Sequence, residues 1–225
     1  MKLTNRSLPY DHIALLLQGG GALGSYQAGV FEGLAEAGIW PNWVAGISIG
    51  ALNSALIAGN APEHRVDRLR EFWDTICQPA FVAPSTDWMQ AAAEAGGGAL
   101  RTAFNTMEAA RALVGGQHGF FVPRLTPPWW PQRPFSELSW YDVSPLKATL
   151  ERLVDFDRIN SGETRVTVSA VNVRNGNFER FDNSRGPWKG RLRAEHFMAS
   201  GALPPGFPAV EIDGESYWDG GLVSN

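Results

Sequence analysis

Over the first sixty residues, short apolar runs that stop at glycine alternate with stretches of helical spacing. Ile13 to Leu17 is apolar throughout and halts before Gly19, which predicts a buried strand. From Ser25 to Ala37 the apolar positions Ala28, Phe31, Leu34 and Ala35 share one helical face, with Gly38 as the stop. Trp43 to Ala45, entered after Pro41, predicts a second strand. Ile49 to Ala58 predicts a helix of mostly small side chains that can pack closely on a sheet. Two strand-turn-helix units in succession imply an α/β fold with a parallel, doubly wound sheet.

Further on, Pro62 suits the first position of a helix whose apolar stripe is Val66, Leu69, Trp73 and Ile76, ended by Pro79. Residues 80–141 lose this regularity. They hold one expected helix near Thr102 to Val114 and a proline- and aromatic-rich run that includes Trp129, Trp130, Pro134 and Phe135. This stretch reads as an insertion on the scaffold of a single domain, 1–225. A helix is expected from Pro145 to Val154 with Ser144 as its cap, then a strand from Arg165 to Val173. Asn175-Gly176 predicts a hairpin into Phe178 to Phe181. Ala194 to Ser200 is expected to be helical. A second hairpin, Ala209 to Ile212 and Ser216 to Trp218, ends at Asp219-Gly220-Gly221.

Composition narrows the function classes. The 225 residues are 44% apolar and 19% charged, enough for one full core. Nineteen basic against 23 acidic residues give a net charge of −4 with no basic block, which argues against a general grip on nucleic acid. Membrane contact would have to come from apolar surface, and an interfacial lid at Trp129 and Trp130 is one such reading beside a core-covering one. The lone Cys77 rules out an internal disulfide. The N-terminal apolar run is too short for a signal peptide and no stretch is long enough to span a bilayer, so a cytoplasmic or peripheral location is expected.

Three elements carry chemistry. Gly46-Ile47-Ser48-Ile49-Gly50 is a G-x-S-x-G pattern between a predicted strand and a predicted helix. That context fits a nucleophile elbow, a sharp turn that exposes a serine hydroxyl at a helix N-terminus. Gly19-Gly20-Gly21-Ala22-Leu23-Gly24 also joins a strand to a helix and can aim several N–H groups into one concavity, for a phosphate or an oxyanion. The same glycines satisfy G-x-G-x-x-G, but no acidic residue lies between Ala37 and Asn53 to hold a ribose, which weakens a nucleotide-binding oxidoreductase. Asp219, with Gly220 and Gly221 behind it, is either a plain turn residue or a carboxylate at a strand end. No histidine follows Asp219. Of His12, His64, His118 and His196, only His196 is a serious alternative base.

Taken together and in this order, the three elements resemble the patatin-like phospholipase family. The segment Ala199-Ser200-Gly201-Ala202-Leu203-Pro204, then Phe207-Pro208 and Asp219-Gly220-Gly221, is similar to that family's closing signature. The resemblance implies a three-layer α/β/α sandwich with a mainly parallel central sheet. It implies a Ser–Asp dyad of Ser48 and Asp219 and an oxyanion hole at Gly19, Gly20 and Gly21, with Gly24, Gly46, Gly50, Gly220 and Gly221 supporting the turns. No metal or cofactor is implied; the substrate would be a lipid or other acyl ester. An acyltransferase and a non-catalytic lipid-binding domain are the alternatives. Two departures are visible. Many members carry a basic residue where this chain has Leu23, which shifts expectation toward neutral esters. The chain also stops six residues past Asp219, where members usually continue, so a C-terminally truncated domain is expected.

Overall fold

The computed structural model describes residues 8–78, 96–125 and 137–225. Six of its strands form one sheet: β1 (Ala14–Leu17), β2 (Trp43–Gly46), β5 (Arg165–Asn172), β6 (Phe178–Asp182), β7 (Val210–Ile212) and β8 (Glu215–Asp219). A separate antiparallel pair joins β3 (Val122–Pro123) to β4 (Tyr141–Asp142). The described helices are α1 (Gly24–Glu36), α2 (Ile49–Ala58), α3 (Arg65–Cys77), α4 (Gly98–Gly115), α5 (Ser144–Leu153), α6 (Phe156–Ser161) and α7 (Ala194–Ser200). The expected Pro79 stop and the Pro127–Phe135 aromatic run, with Trp129 and Trp130, lie outside the described residues.

The sheet is mixed but mainly parallel, as expected. β1, β2 and β5 run parallel and adjacent, and β7 shares their direction because it is antiparallel to β8, which is antiparallel to β5. One expectation changes. A doubly wound sheet reverses its strand order midway, but β1, β2 and β5 follow one another in a single direction. Right-handed crossovers then place α1 and α2 on the same face.

That face holds the core. Every residue of α2 is buried, and the helix packs across β1, β2 and β5. Helix α7 covers β5, β7 and β8 beside it, while α1, α3 and α5 pack outside α2. Phe31, Leu56, Phe72, Leu150, Val168 and Phe197 meet in one continuous cluster. Truncating a fully buried leucine such as Leu56 to alanine removes about 2–5 kcal/mol at such a site.

The opposite face of the sheet is different. Leu16, expected to be buried, is 77% exposed, because β1 lies at the edge of the sheet among the described residues and its even positions point away from α2. Arg165, Thr167 and Asp182 form a polar cluster there. The Arg165 guanidinium stacks 4.0 Å over the Trp43 ring and bonds Asp182, and Thr167 donates to Asp182 at 2.7 Å. Burial pushes the Asp182 carboxyl up, but Arg165, Thr167 and Ser184 outweigh it and hold it at about 2. These residues line a cavity of about 770 Å³ that reaches Leu16, Phe178, Arg180 and Asn225.

Two local readings are also corrected. Ser144 is the first residue of α5 rather than its cap, and the Asp142 carboxylate accepts both its N–H and its hydroxyl. Helix α6 was not expected; Asp155 caps it by accepting from the Arg158 N–H, and Gly162 ends it in the left-handed conformation. Its six residues are too few for a periodic signal to emerge.

Candidate active site

The site follows from how β5 shares its edges. Thr167 and Ala170 each pair on two sides, with β6 on one side of both. The other side of β5 is therefore divided end to end. β2 occupies Arg165 to Val168, and β8 occupies Ala170 to Asn172. Because β8 is antiparallel, its C-terminal residue arrives head-on toward the C-terminal residue of β2. Gly46 lies opposite Val168 and Asp219 opposite Ala170, leaving only Ser169 between them. Both chains must turn off the sheet there, and both sequence motifs are those turns.

At the first turn, Ser48 has φ 54° and ψ −126°, a conformation costly for any residue with a Cβ. The strain is held because the backbone crosses itself too closely to relax. A Cβ on Gly50 would lie 2.0 Å from the Leu17 carbonyl oxygen, and one on Gly46 2.3 Å from the Gly50 carbonyl oxygen. The Ser48 N–H donates to the Ser200 backbone carbonyl at 3.1 Å and to its hydroxyl at 3.0 Å, while that hydroxyl donates to the Ser169 carbonyl. Ser200 thus ties the elbow to the residue between the two strand ends. Helix α2 starts at Ile49, so its N-terminus points at the serine.

At the second turn, Asp219 is 3% exposed and receives the Ser48 hydroxyl at 2.7 Å on Oδ2, while Oδ1 accepts the Gly221 N–H at 2.7 Å. Burial raises its carboxyl above the ordinary aspartate value, against the lowering effect of these two hydrogen bonds. A buried carboxylate held by one hydroxyl and one amide is a better proton acceptor than a solvated one. Gly220 crosses Ser169 so closely that a Cβ would lie 2.5 Å from its carbonyl oxygen.

The glycine loop forms the third wall. Gly20 and Gly21 adopt φ of 150° and 56°, which side-chain-bearing residues rarely reach. Gly19 backs onto Ser48: a Cβ there would lie 3.1 Å from Ser48 Cβ. At the far end, a Cβ on Gly24 would lie 2.5 Å from Ile49 Cγ1. Of the three expected oxyanion donors, Gly19 has its N–H engaged within the fold, donating to Asn225 Oδ1 at 2.5 Å. The loop is anchored on both flanks. Gln27 donates to the Gln18 carbonyl, and buried Asn53 donates to the Gly24 carbonyl while accepting from Trp73.

His196 stands elsewhere. Its ring is fully buried against Phe181 and Trp188, and its Nδ1 accepts the Arg193 N–H. Burial drives its pKa down to about 4, so it is neutral at physiological pH. It makes no bond to Ser48 or Asp219. Reasoning from sequence assigned no role to Asn225, Gln27 or Asn53, and quoted Ser200 only within the closing signature; each acts on a partner 9 to 206 positions away through one polar side chain.

A strained serine on a strand-to-helix elbow, bonded to a buried aspartate beside a polyglycine turn, has the geometry a serine nucleophile needs. The family model for patatin-like phospholipase matches residues 15–225, and the chain belongs to that family. A curated relative, lysophospholipase nte1 of Aspergillus terreus (strain NIH 2624 / FGSC A1156), is 51% identical over 49 residues, 22% of this chain and 3% of that protein. Among solved structures, VipD from Legionella pneumophila aligns over 96% of this chain and 47% of its own, at 18% identity and a TM-score of 0.46. The chain therefore spans only part of the length of either protein.

Proposed function

We propose that this chain is a lipid acyl hydrolase that cleaves carboxylic esters through Ser48 and Asp219. The observation that carries the reading is the 2.7 Å hydrogen bond from the Ser48 hydroxyl to the buried Asp219 carboxylate at a strained elbow. Family membership and the lysophospholipase name of the matched relative support a lipid ester as substrate.

In this mechanism, Ser48 Oγ attacks the ester carbonyl while its proton moves to Asp219 Oδ2. The Gly20 and Gly21 N–H groups and the α2 N-terminus receive the developing oxyanion. As the tetrahedral species collapses, the carbon–oxygen bond to the alcohol breaks and Asp219 returns the proton to it. Water then attacks the acyl-serine, giving its proton to Asp219 and finally to Ser48, and the fatty acid leaves. The scheme uses no metal or organic cofactor. His196 plays no part in it.

No cation lies between Gly19 and Tyr26, and Leu23 is 71% exposed beside the loop. This segment therefore supplies no side-chain charge for a phosphate, which favours neutral esters. Tyr26, Leu203 and Val223 are also exposed, on the uncharged segments that flank the dyad. They suit contact with a lipid aggregate rather than with a charged partner.

The test is hydrolysis by purified wild type and Ser48→Ala across neutral ester, lysophospholipid and diacyl phospholipid panels. Wild-type turnover should fall by up to about 10⁶ in Ser48→Ala. Undiminished hydrolysis in that variant would reject the nucleophile.

A further inference from the structure

We infer that Asn225 is a positioning residue for the oxyanion hole: by accepting the Gly19 N–H it fixes the glycine loop so that Gly20 and Gly21 face the reacting carbonyl. The inference rests on the proposed esterase reading and deepens it.

Gly19 is buried, and a Cβ on it would lie 3.1 Å from Ser48 Cβ. Its N–H has no bond to the sheet. β1 ends at Leu17, and β2 leaves the sheet after Gly46, the partner of Leu17. A buried amide without a partner is costly, and a rotated peptide would carry the φ-positive glycines behind it out of register. The Asn225 carboxamide meets that need at 2.5 Å from 206 residues away.

The origin of Asn225 gives the contact a second role. It follows β8 by one tight turn, in which the Val223 and Ser224 N–H groups both donate to the Gly220 carbonyl. The same turn begins with Asp219. One short segment therefore delivers the carboxylate to Ser48 and the carboxamide to the glycine loop, so base and oxyanion donors are linked through one turn. The other loop anchors, Gln27 and Asn53, hold Gln18 and Gly24, which lie outside the two donors. Gln27 and Asn225 grip the two ends of one peptide group, the Gln18 carbonyl and the Gly19 N–H, and Asn225 is the anchor on the N–H side facing the donors.

The experiment combines kinetics with residue-resolved amide exchange on the full chain carrying Asn225→Ala or Asn225→Asp. In Asn225→Ala, kcat for a soluble ester should fall about 10- to 100-fold while KM stays within about threefold, since a misplaced donor costs the transition state more than the ground state. The Gly19 amide should exchange at least about tenfold faster, reflecting its lost partner. Asn225→Asp keeps an acceptor at the same reach and should restore Gly19 protection. Unchanged Gly19 exchange in Asn225→Ala would overturn the inference. So would a rate loss that tracks a fall in melting temperature with kcat and KM changing together. The exchange readout needs no turnover, so loss of the esterase reading through Ser48→Ala would be distinguishable from loss of this one.

Discussion

Replacing Gly50 by alanine tests the geometry that strains Ser48. The added Cβ would sit 2.0 Å from the Leu17 carbonyl oxygen and 2.6 Å from its carbon, both backbone atoms locked in the β1–β2 ladder. Ordinary contact begins at 3.4 Å, so the end of β1 and the first turn of α2 must separate by about 1.4 Å. Overpacking against backbone costs about 3 kcal/mol or more, the upper part of the usual range, because no side chain can swing aside. For a domain of this size that corresponds to a melting temperature lower by roughly 6–12 °C. The same displacement moves Ser48, which precedes α2, away from the Gly19 loop, which follows β1. A shift near 1 Å in a catalytic constellation costs on the order of 10² in rate. Calorimetry and ester turnover on one preparation measure both effects. Gly50→Ala with wild-type melting and turnover would refute the close crossing and, with it, the structural origin of the Ser48 strain.

Three further outcomes follow from the same structure. Asp219→Asn should abolish most turnover yet leave melting temperature at pH 7–8 equal or higher, since the carboxyl's raised pKa means its ionised form opposes folding; a marked destabilisation would contradict this. The acid limb of kcat should titrate above the ordinary aspartate value for the same reason, and a limb at or below that value would count against Asp219 as base. His196, neutral in the fold with a pKa of about 4, should cost stability as pH falls below its unfolded value near 6.5, by roughly 3 kcal/mol once pH reaches 4; His196→Phe should lose that pH dependence in denaturant titrations and retain hydrolysis within about threefold.

The residues that could be read in advance are those whose signal is local. The apolar runs at Ile13 to Leu17 and Trp43 to Ala45, the periodic stripe of α1 and the small-residue helix α2 correspond to the observed elements within a residue or two, while α3 starts at Arg65 after a 3-10 turn at the expected Pro62 start. Glycines at 46 and 50 mark the elbow because only a missing Cβ permits its crossing. What stayed hidden is long-range. Nothing near β8 in sequence says that it takes the free half of one edge of β5, yet that sharing is what brings Asp219 to Ser48. The roles of Ser200 and Asn225 emerge only when the fold brings them to partners 152 and 206 positions away in sequence. The exposure of Leu16 was misread because an apolar run is compatible with both one-faced and two-faced burial.

The central claim concerns covalent chemistry at one hydroxyl. Rapid quenching of a slow-turnover acyl ester reaction, followed by peptide mass analysis, tests it most directly. The account predicts one acyl group per chain on the peptide containing Ser48, absent in Ser48→Ala. Hydrolysis proceeding with the acyl mass on another residue, or with no acylated protein under conditions that trap a known serine esterase, would contradict it.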